Sequence, residues 1–347
     1  DGQYGGALPN QASDHGNQIV DPMFTAYTLN GNLTDDNFKL KSGSTMKNRG
    51  LPTFPDKDGS VSDLGVGGGN DDRRVSGYDL YVSPMFDSSH RTLASAVTAA
   101  TSGKRISVYP GLYFSDINTA GKNLTITGVY GQLGTVVVGS SQALSVSSGE
   151  GSSSSPMIIT GLSFWSPGSF GVYLLNSYLT LKECSVRYAY SSYGVYAQGG
   201  QLNLTRCVIE QNQPSYSAYY TGSSGTINGS TFQYNRSVHG GGLYMTATNA
   251  TVTSSRFAYN TATNNGGAIY AYNGTLDLNK TTVQKNVSSY GGGVFFDKMN
   301  SIMASNFFTD NSSSVQGGAY YSTGADIASL SNNIFQGNTA TSHGGVV

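Results

Sequence analysis

Charge is scarce in this chain. Lys, Arg, Asp and Glu make up 11% of its 347 residues, and the formal net charge is −1. So few cations leave no basic patch for phosphates, which excludes nucleic acid as a partner. No Lys/Arg cluster addresses a membrane surface either. Long apolar runs are also missing, and none reaches the roughly 20 residues of a spanning helix, so no membrane insertion is expected. Amphipathic helical stripes are absent from most of the chain. Glycine and tyrosine are abundant instead, 46 and 24 residues.

The glycines fall into a repeat. The stretch Tyr290–Gly291–Gly292–Gly293–Val294–Phe295–Phe296, continued to Phe308–Thr309–Asp310–Asn311, combines a Gly corner, apolar strands and a closing Asn. That Asn recurs as Asn212, Asn235, Asn260, Asn286, Asn311 and Asn338, at spacings of 23, 25, 26, 25 and 27 residues. Three residues before each lies an apolar side chain: Ile209, Phe232, Phe257, Val283, Phe308 and Phe335. A period in this range marks a repeat architecture, and about 25 residues is too short for a βαβ unit. Leu179-x-Leu181, Leu202-x-Leu204 and Leu276-x-Leu278 alternate as half-buried strands do. The fold class expected is all-β, a right-handed parallel β-helix (solenoid) with a short capping helix near 92–101. Gly allows positive φ at the corners, and the Asn column is expected to form an inward ladder of amides from turn to turn.

Cys184 and Cys207 lie one repeat apart and occupy the same slot, Leu181-x-x-Cys184 matching Leu204-x-x-Cys207. Two readings stay open there: a disulfide between stacked strands, or two buried thiols acting as small hydrophobes.

Outside the repeat, two segments resemble caps. Asp21–Pro22–Met23–Phe24, then Leu40–Lys41–Ser42–Gly43–Ser44, then Asp56–Lys57–Asp58–Gly59 to Asp63–Leu64–Gly65 follow one another within residues 1–77. This series resembles the C-terminal cap of secreted right-handed β-helix proteins of the pectin-lyase-like class. Leu93–Ala100 forms an Ala-rich helix with Leu93, Ala96, Val97 and Ala100 on one face and Gly103 as its C-cap. With Ile106-x-Val108-x-Pro110–Gly111-x-Tyr113 it resembles the N-terminal cap of the same class. The Gly-Gly-Ala corners and Phe-x-x-Asn ends of residues 156–347 are similar to the passenger repeats of bacterial polymorphic outer-membrane autotransporters. Three domains follow: a cap segment at 1–77, an N-terminal cap with first turns at 78–155, and the repeated body at 156–347.

The resemblance puts a C-terminal cap at the start of the chain and no cap after His343–Gly344–Gly345. If segment 1–77 of one subunit closes the coil of its neighbour, the contact is heterologous and propagates as a fibre. The expected function is a structural subunit of an extracellular, glycosylated filament, a head-to-tail homopolymer built by β-helix stacking and donated caps. The rival reading is a capped surface adhesin whose Tyr188, Tyr190, Tyr193, Tyr196, Tyr216, Tyr219 and Tyr220 bind carbohydrate. A polysaccharide lyase or hydrolase is a third, since the class hosts such enzymes. That chemistry needs clustered carboxylates. From residue 151 onward only Glu183, Glu210, Asp277, Asp297, Asp310 and Asp326 are acidic, so no catalytic residue and no enzyme is expected.

Ten Asn-x-Ser/Thr sequons occur. Asn203, Asn228 and Asn279 flank inward Leu or Ile residues and are expected to carry N-linked glycans, as are Asn123, Asn249, Asn273 and Asn32. Asn235, Asn286 and Asn311 are sequons too, but a glycan there conflicts with the ladder. No cofactor is expected beyond a calcium ion at Asp56, Asp58 and Asp63. These alternate around a glycine as in a calcium loop but lack its closing Glu, and an Asp-Gly turn explains them equally.

Overall fold

The computed structural model describes residues 24–26, 37–44, 47, 77–84, 90–213, 215–324 and 326–346. Two compact units divide the chain, Asp1–Ser76 and Gly77–Val347. In the first, Phe24–Ala26 pairs antiparallel with Asn37–Leu40.

The second unit is a parallel β-solenoid. Its strands form sheets of 16, 10 and 5 members, and neighbours in each sheet come from successive coils. One coil comprises the bent strand Val294–Ala304, the short strand Phe307–Thr309 and the strand Ser312–Gln316. Side chains meet their counterparts one coil away: Phe257 pairs with Val283, and Val283 with Phe308. The core is therefore a set of apolar columns. Val186, Ile209, Phe232, Phe257, Val283 and Phe308 form one of them and are fully buried. The rings of Phe232 and Phe257 stack at 4.6 Å. The helix Leu93–Ala99 buries Leu93, Ala96 and Val97 in the same core as Val82, Ile106 and Ile117 of the first strands. Thr92 Oγ1 caps it by accepting the Ser95 N–H. The helix stops earlier than its sequence suggests: Ala100 is the C-cap, in extended conformation, whereas Gly103 sits three residues on in a turn at φ +85°. Once Ala100 leaves the helix, Gly103 has no helical carbonyl to close.

Sharp corners separate the strands, and many are made without glycine. Gln211, Tyr234, Tyr259, Lys285 and Asp310, each just before a column Asn, have φ between 51° and 56°. An L-residue there costs about 1–2 kcal/mol. The adjacent Asn compensates. Asn286 Oδ1 accepts from the backbone N–H and the Nδ2 of Asn260, while Asn286 Nδ2 donates to Phe257 O and to Asn311 Oδ1. At about 0.5–1.5 kcal/mol net per bond, the bonds of one rung outweigh the strain of one corner. The same pattern links Asn212, Asn235, Asn260, Asn286, Asn311 and Asn338. Glycine is required at the corner before the wide strand of each later coil, where backbones approach closely. Gly291 has φ +62°, and a Cβ on it would lie 2.3 Å from Val294 O.

A second ladder runs five residues ahead of the first: Cys184, Cys207, Ser230, Ser255, Thr281, Asn306 and Asn333. The Cys207 N–H donates to Ser230 Oγ, Ser230 N–H to Ser255 Oγ, Thr281 N–H to Asn306 Oδ1, and Asn306 N–H to Asn333 Oδ1. Both cysteines are free and buried. Their thiols contact the Ile159 and Leu181 carbonyls, one coil back. Burial pushes the Cys207 thiol up to about 11 and the Cys184 thiol further, so neither is a thiolate nucleophile at neutral pH.

Replacing Phe308 by Ala should open a cavity between stacked rings and cost about 3–5 kcal/mol. Asn286→Ala strands the Asn260 N–H and one amide hydrogen, which should cost about 1–3 kcal/mol. Denaturant unfolding measures both. A change below about 0.5 kcal/mol, the range of ordinary surface substitutions, would remove either residue from the stacked interior.

Candidate functional site

Outward side chains of the wide sheet line up as the inward ones do. Tyr173, Tyr196, Tyr219, Tyr244, Tyr270, Phe295 and Tyr321 occupy one register position in seven successive coils. Ring centroids lie 5.4, 5.5, 4.9 and 4.9 Å apart from Tyr173 to Tyr270, with planes within 19° of parallel. Beside them Phe170, Tyr193 and Tyr216 form a second stack, spaced 5.3 and 5.6 Å. Parallel strands about 4.8 Å apart place identical side chains at stacking distance, so the row is a product of the fold.

Stacking decides what this surface can bind. A sugar ring packs on the face of an aromatic ring, but here the faces are turned to the neighbouring rings. Tyr193, Tyr196, Tyr216 and Tyr219 are half-buried and present edges and hydroxyls. The Tyr196 hydroxyl donates to Gln198 Oε1. Tyr220 was expected outside with them, yet its side chain is fully buried and its hydroxyl has no hydrogen-bond partner. In the strand Tyr216–Thr221 it falls on the inward face, because successive side chains alternate. Tyr188 meets Trp165 edge to face at 5.2 Å, and Tyr190 stands exposed. The seven tyrosines do not form one binding surface. Burial first, then neighbouring groups, pushes the Tyr270 phenol up to about 12, so this ring is uncharged at physiological pH.

The acidic residues are likewise dispersed by the coil. Glu183 pairs with Arg206, and Glu210 with Arg187 at 2.9 Å, in both cases across one coil. Gln233 Nε2 donates to Glu210, and Arg256 donates to Gln233 Oε1 at 3.1 Å, which extends a polar row on the outer face of the ten-stranded sheet. Among the described residues no group of three His, Cys, Asp or Glu side chains is placed to hold a metal. Asp56, Asp58, Asp63 and Asn32 lie outside the described residues. His239 rests against the Tyr244 and Tyr270 rings, and burial holds its imidazole below the ordinary value.

One carboxylate that the sequence did not single out is internal. Glu150 is buried at the base of the Gly/Ser loop 149–155. It accepts hydrogen bonds from Thr119 Oγ1, the Gly121 and Ser148 N–H groups and Ser177 Oγ. Burial pushes its carboxyl up, but the Thr119 hydroxyl and the backbone N–H groups outweigh this and hold it below the ordinary carboxylate value. A group with a depressed folded pKa stabilises above its unfolded value, about 4.3, and that stability disappears as pH falls through the folded value. Glu150→Gln should therefore lower the melting temperature at pH 7, with the difference from the parent protein shrinking below about pH 4. A pH-independent difference would mean that the charge is not what holds the loop.

Residues 193–347 match the family described as "Right handed beta helix region". No curated protein matches the chain. Several solved structures do. Carrot pectin methylesterase is 9% identical with a TM-score of 0.34, over 74% of this chain and 83% of that one. The deglycosylated enzyme of Aspergillus niger is 13% identical with a TM-score of 0.32, over 77% and 87%. A pectin methylesterase variant bound to a hexasaccharide is 13% identical with a TM-score of 0.37, over 58% and 79%. These neighbours overturn the expectation that the chain is not an enzyme. A scarcity of carboxylates does not exclude an enzyme. At such identities the likeness is one of fold, and no residue role transfers. The matched repeat, the successive parallel coils and the paired ladders give this chain the fold of a right-handed parallel β-helix.

Proposed function

We propose that the chain is a structural unit of an extracellular filament in which β-helices stack head to tail. The continuity of the ladder from coil to coil carries this reading. In each earlier coil, from Ala189 to Asn311, the N–H at the ladder position donates to the Asn amide of the next coil. Asn338 receives from Asn311 and donates to Phe308 O. The Phe335 ring stacks on Phe308 at 5.1 Å, continuing the apolar column.

Each coil thus offers the next one the same groups. A second copy that offers a Gly corner and a strand in the same register would continue both ladders and the apolar column, by strand addition. Tyr4–Gly5–Gly6–Ala7–Leu8 has the residue order of Gln316–Gly317–Gly318–Ala319–Tyr320, and segment 1–77 is the proposed donor. Head-to-tail contact of this kind does not close on itself and yields an open fibre.

Electron microscopy of the purified chain should reveal filaments many subunits long, with strands spaced about 4.8 Å along the axis. Removing residues 1–76 leaves the compact unit Gly77–Val347 and should abolish elongation. Filaments that form equally well without the segment, or a full-length chain that remains a single rod, would overturn the proposal.

A further inference from the structure

One ribbon of the wide sheet collects sequons. The segments Gln201–Thr205, Ser224–Asn228, Asn249–Thr253 and Thr275–Asn279 lie side by side in four successive coils, with Thr205 opposite Asn228, Asn228 opposite Thr253 and Thr253 opposite Asn279. Their inward positions are Leu202, Leu204, Ile227, Val252, Leu276 and Leu278, all buried. The outward positions include the sequon residues Asn203, Asn228, Asn249 and Asn279, and Asn273 stands at the left-handed corner that leads into the fourth segment, with φ 52°. Five of the chain's ten sequons thus share one wall, although up to 76 residues separate them in sequence.

We propose that this wall is a site of N-linked glycosylation and carries an oligosaccharide coat on one side of the solenoid only. The proposal does not rest on filament assembly. Asn228, Asn249 and Asn273 are exposed, and Asn203 and Asn279 are half-buried. Where these amides work structurally, they do so mainly through oxygen. Asn203 Oδ1 accepts from the N–H and hydroxyl of Thr226, both at 3.0 Å. Asn249 Oδ1 accepts from the N–H and hydroxyl of Thr275, at 3.1 and 2.9 Å. Glycosylation forms a bond between Nδ2 and the anomeric carbon of the sugar. The bond from that carbon to the pyrophosphate of a lipid-linked oligosaccharide breaks, the lipid pyrophosphate leaves, and the amide gives up one proton. No oxidation or reduction is involved, and the Oδ1 contacts survive.

The ladder sequons differ at that atom. Asn235, Asn286 and Asn311 are at most 1% exposed, and Nδ2 uses both hydrogens. Asn235 donates to Ile209 O and Asn260 Oδ1, Asn286 to Phe257 O and Asn311 Oδ1, and Asn311 to Val283 O and Asn338 Oδ1. A sugar there would remove one rung bond and wedge a bulky group between coils about 4.8 Å apart. Asn123 lies off the ribbon, and its Nδ2 donates to Ser155 O at 3.2 Å.

The full chain, secreted from eukaryotic cells and shown to be folded, tests this by intact glycopeptide mapping. Glycans should be found at Asn228, Asn249 and Asn273, with further occupancy at Asn203 and Asn279, and none at Asn235, Asn286 and Asn311. The combined variant Asn228→Gln, Asn249→Gln, Asn273→Gln should lose the mass of three oligosaccharides and still elute as folded protein. An unmodified wall, an unchanged mass in the variant, or glycans on the three ladder residues of folded protein would each overturn the proposal.

Discussion

In a stack of parallel coils, every side chain faces its own counterpart about 4.8 Å away. Each position must therefore be filled by a group that pairs with itself. An amide does so because it is both donor and acceptor, and hydroxyls and thiols do so more weakly. A carboxylate or an ammonium does not, since like charges would stack. This accounts for the contents of the two inner ladders, Asn in one and Cys, Ser, Thr or Asn in the other. It also accounts for the sparse charge of the body. Where charges occur in neighbouring coils they alternate in sign on the outside, as Arg187 with Glu210 and Arg206 with Glu183 do.

The corners depend on the same pairing. Tyr234, Tyr259 and Lys285 adopt a backbone conformation that L-residues avoid, and the rung beside each holds it there. Ladder and corner are one device: the strained residue turns the chain so that the following amide points inward, and the amide's bonds keep the turn. Glu150 is the exception that fits the rule. It sits by the loop 149–155, where the coil is locally irregular, and it is satisfied by donors from several segments and not by a copy of itself.

On the outer walls, self-pairing limits function. The tyrosine row of the wide sheet would look like a carbohydrate platform if each ring were considered alone, but the rings spend their faces on one another. The sequon ribbon is different, since an exposed Asn needs no partner in the next coil through Nδ2. The two rows share a sheet and differ only in register position, which is why one wall is aromatic and the other amide-bearing.

Much of the architecture was legible in the sequence, because a column of identical slots leaves a periodic trace. The Asn spacing of 23 to 27 residues, the apolar residue three positions earlier and the Gly corners define coil, register and core. The second ladder has the same period but was not read, because Cys, Ser, Thr and Asn share no single letter there; only the common N–H acceptor unites them. Tyr220 was misplaced because two adjacent tyrosines give no sign of which faces inward, and strand phase decides that. Glu150 gave no signal, since its donors are 2 to 31 residues away. Sequence determined what repeats, because each coil imposes the same demand on the same slot. Tertiary structure alone decided which sequons share a wall and which rings cover one another, because those relations run between coils, along an axis that the linear chain crosses only once per turn.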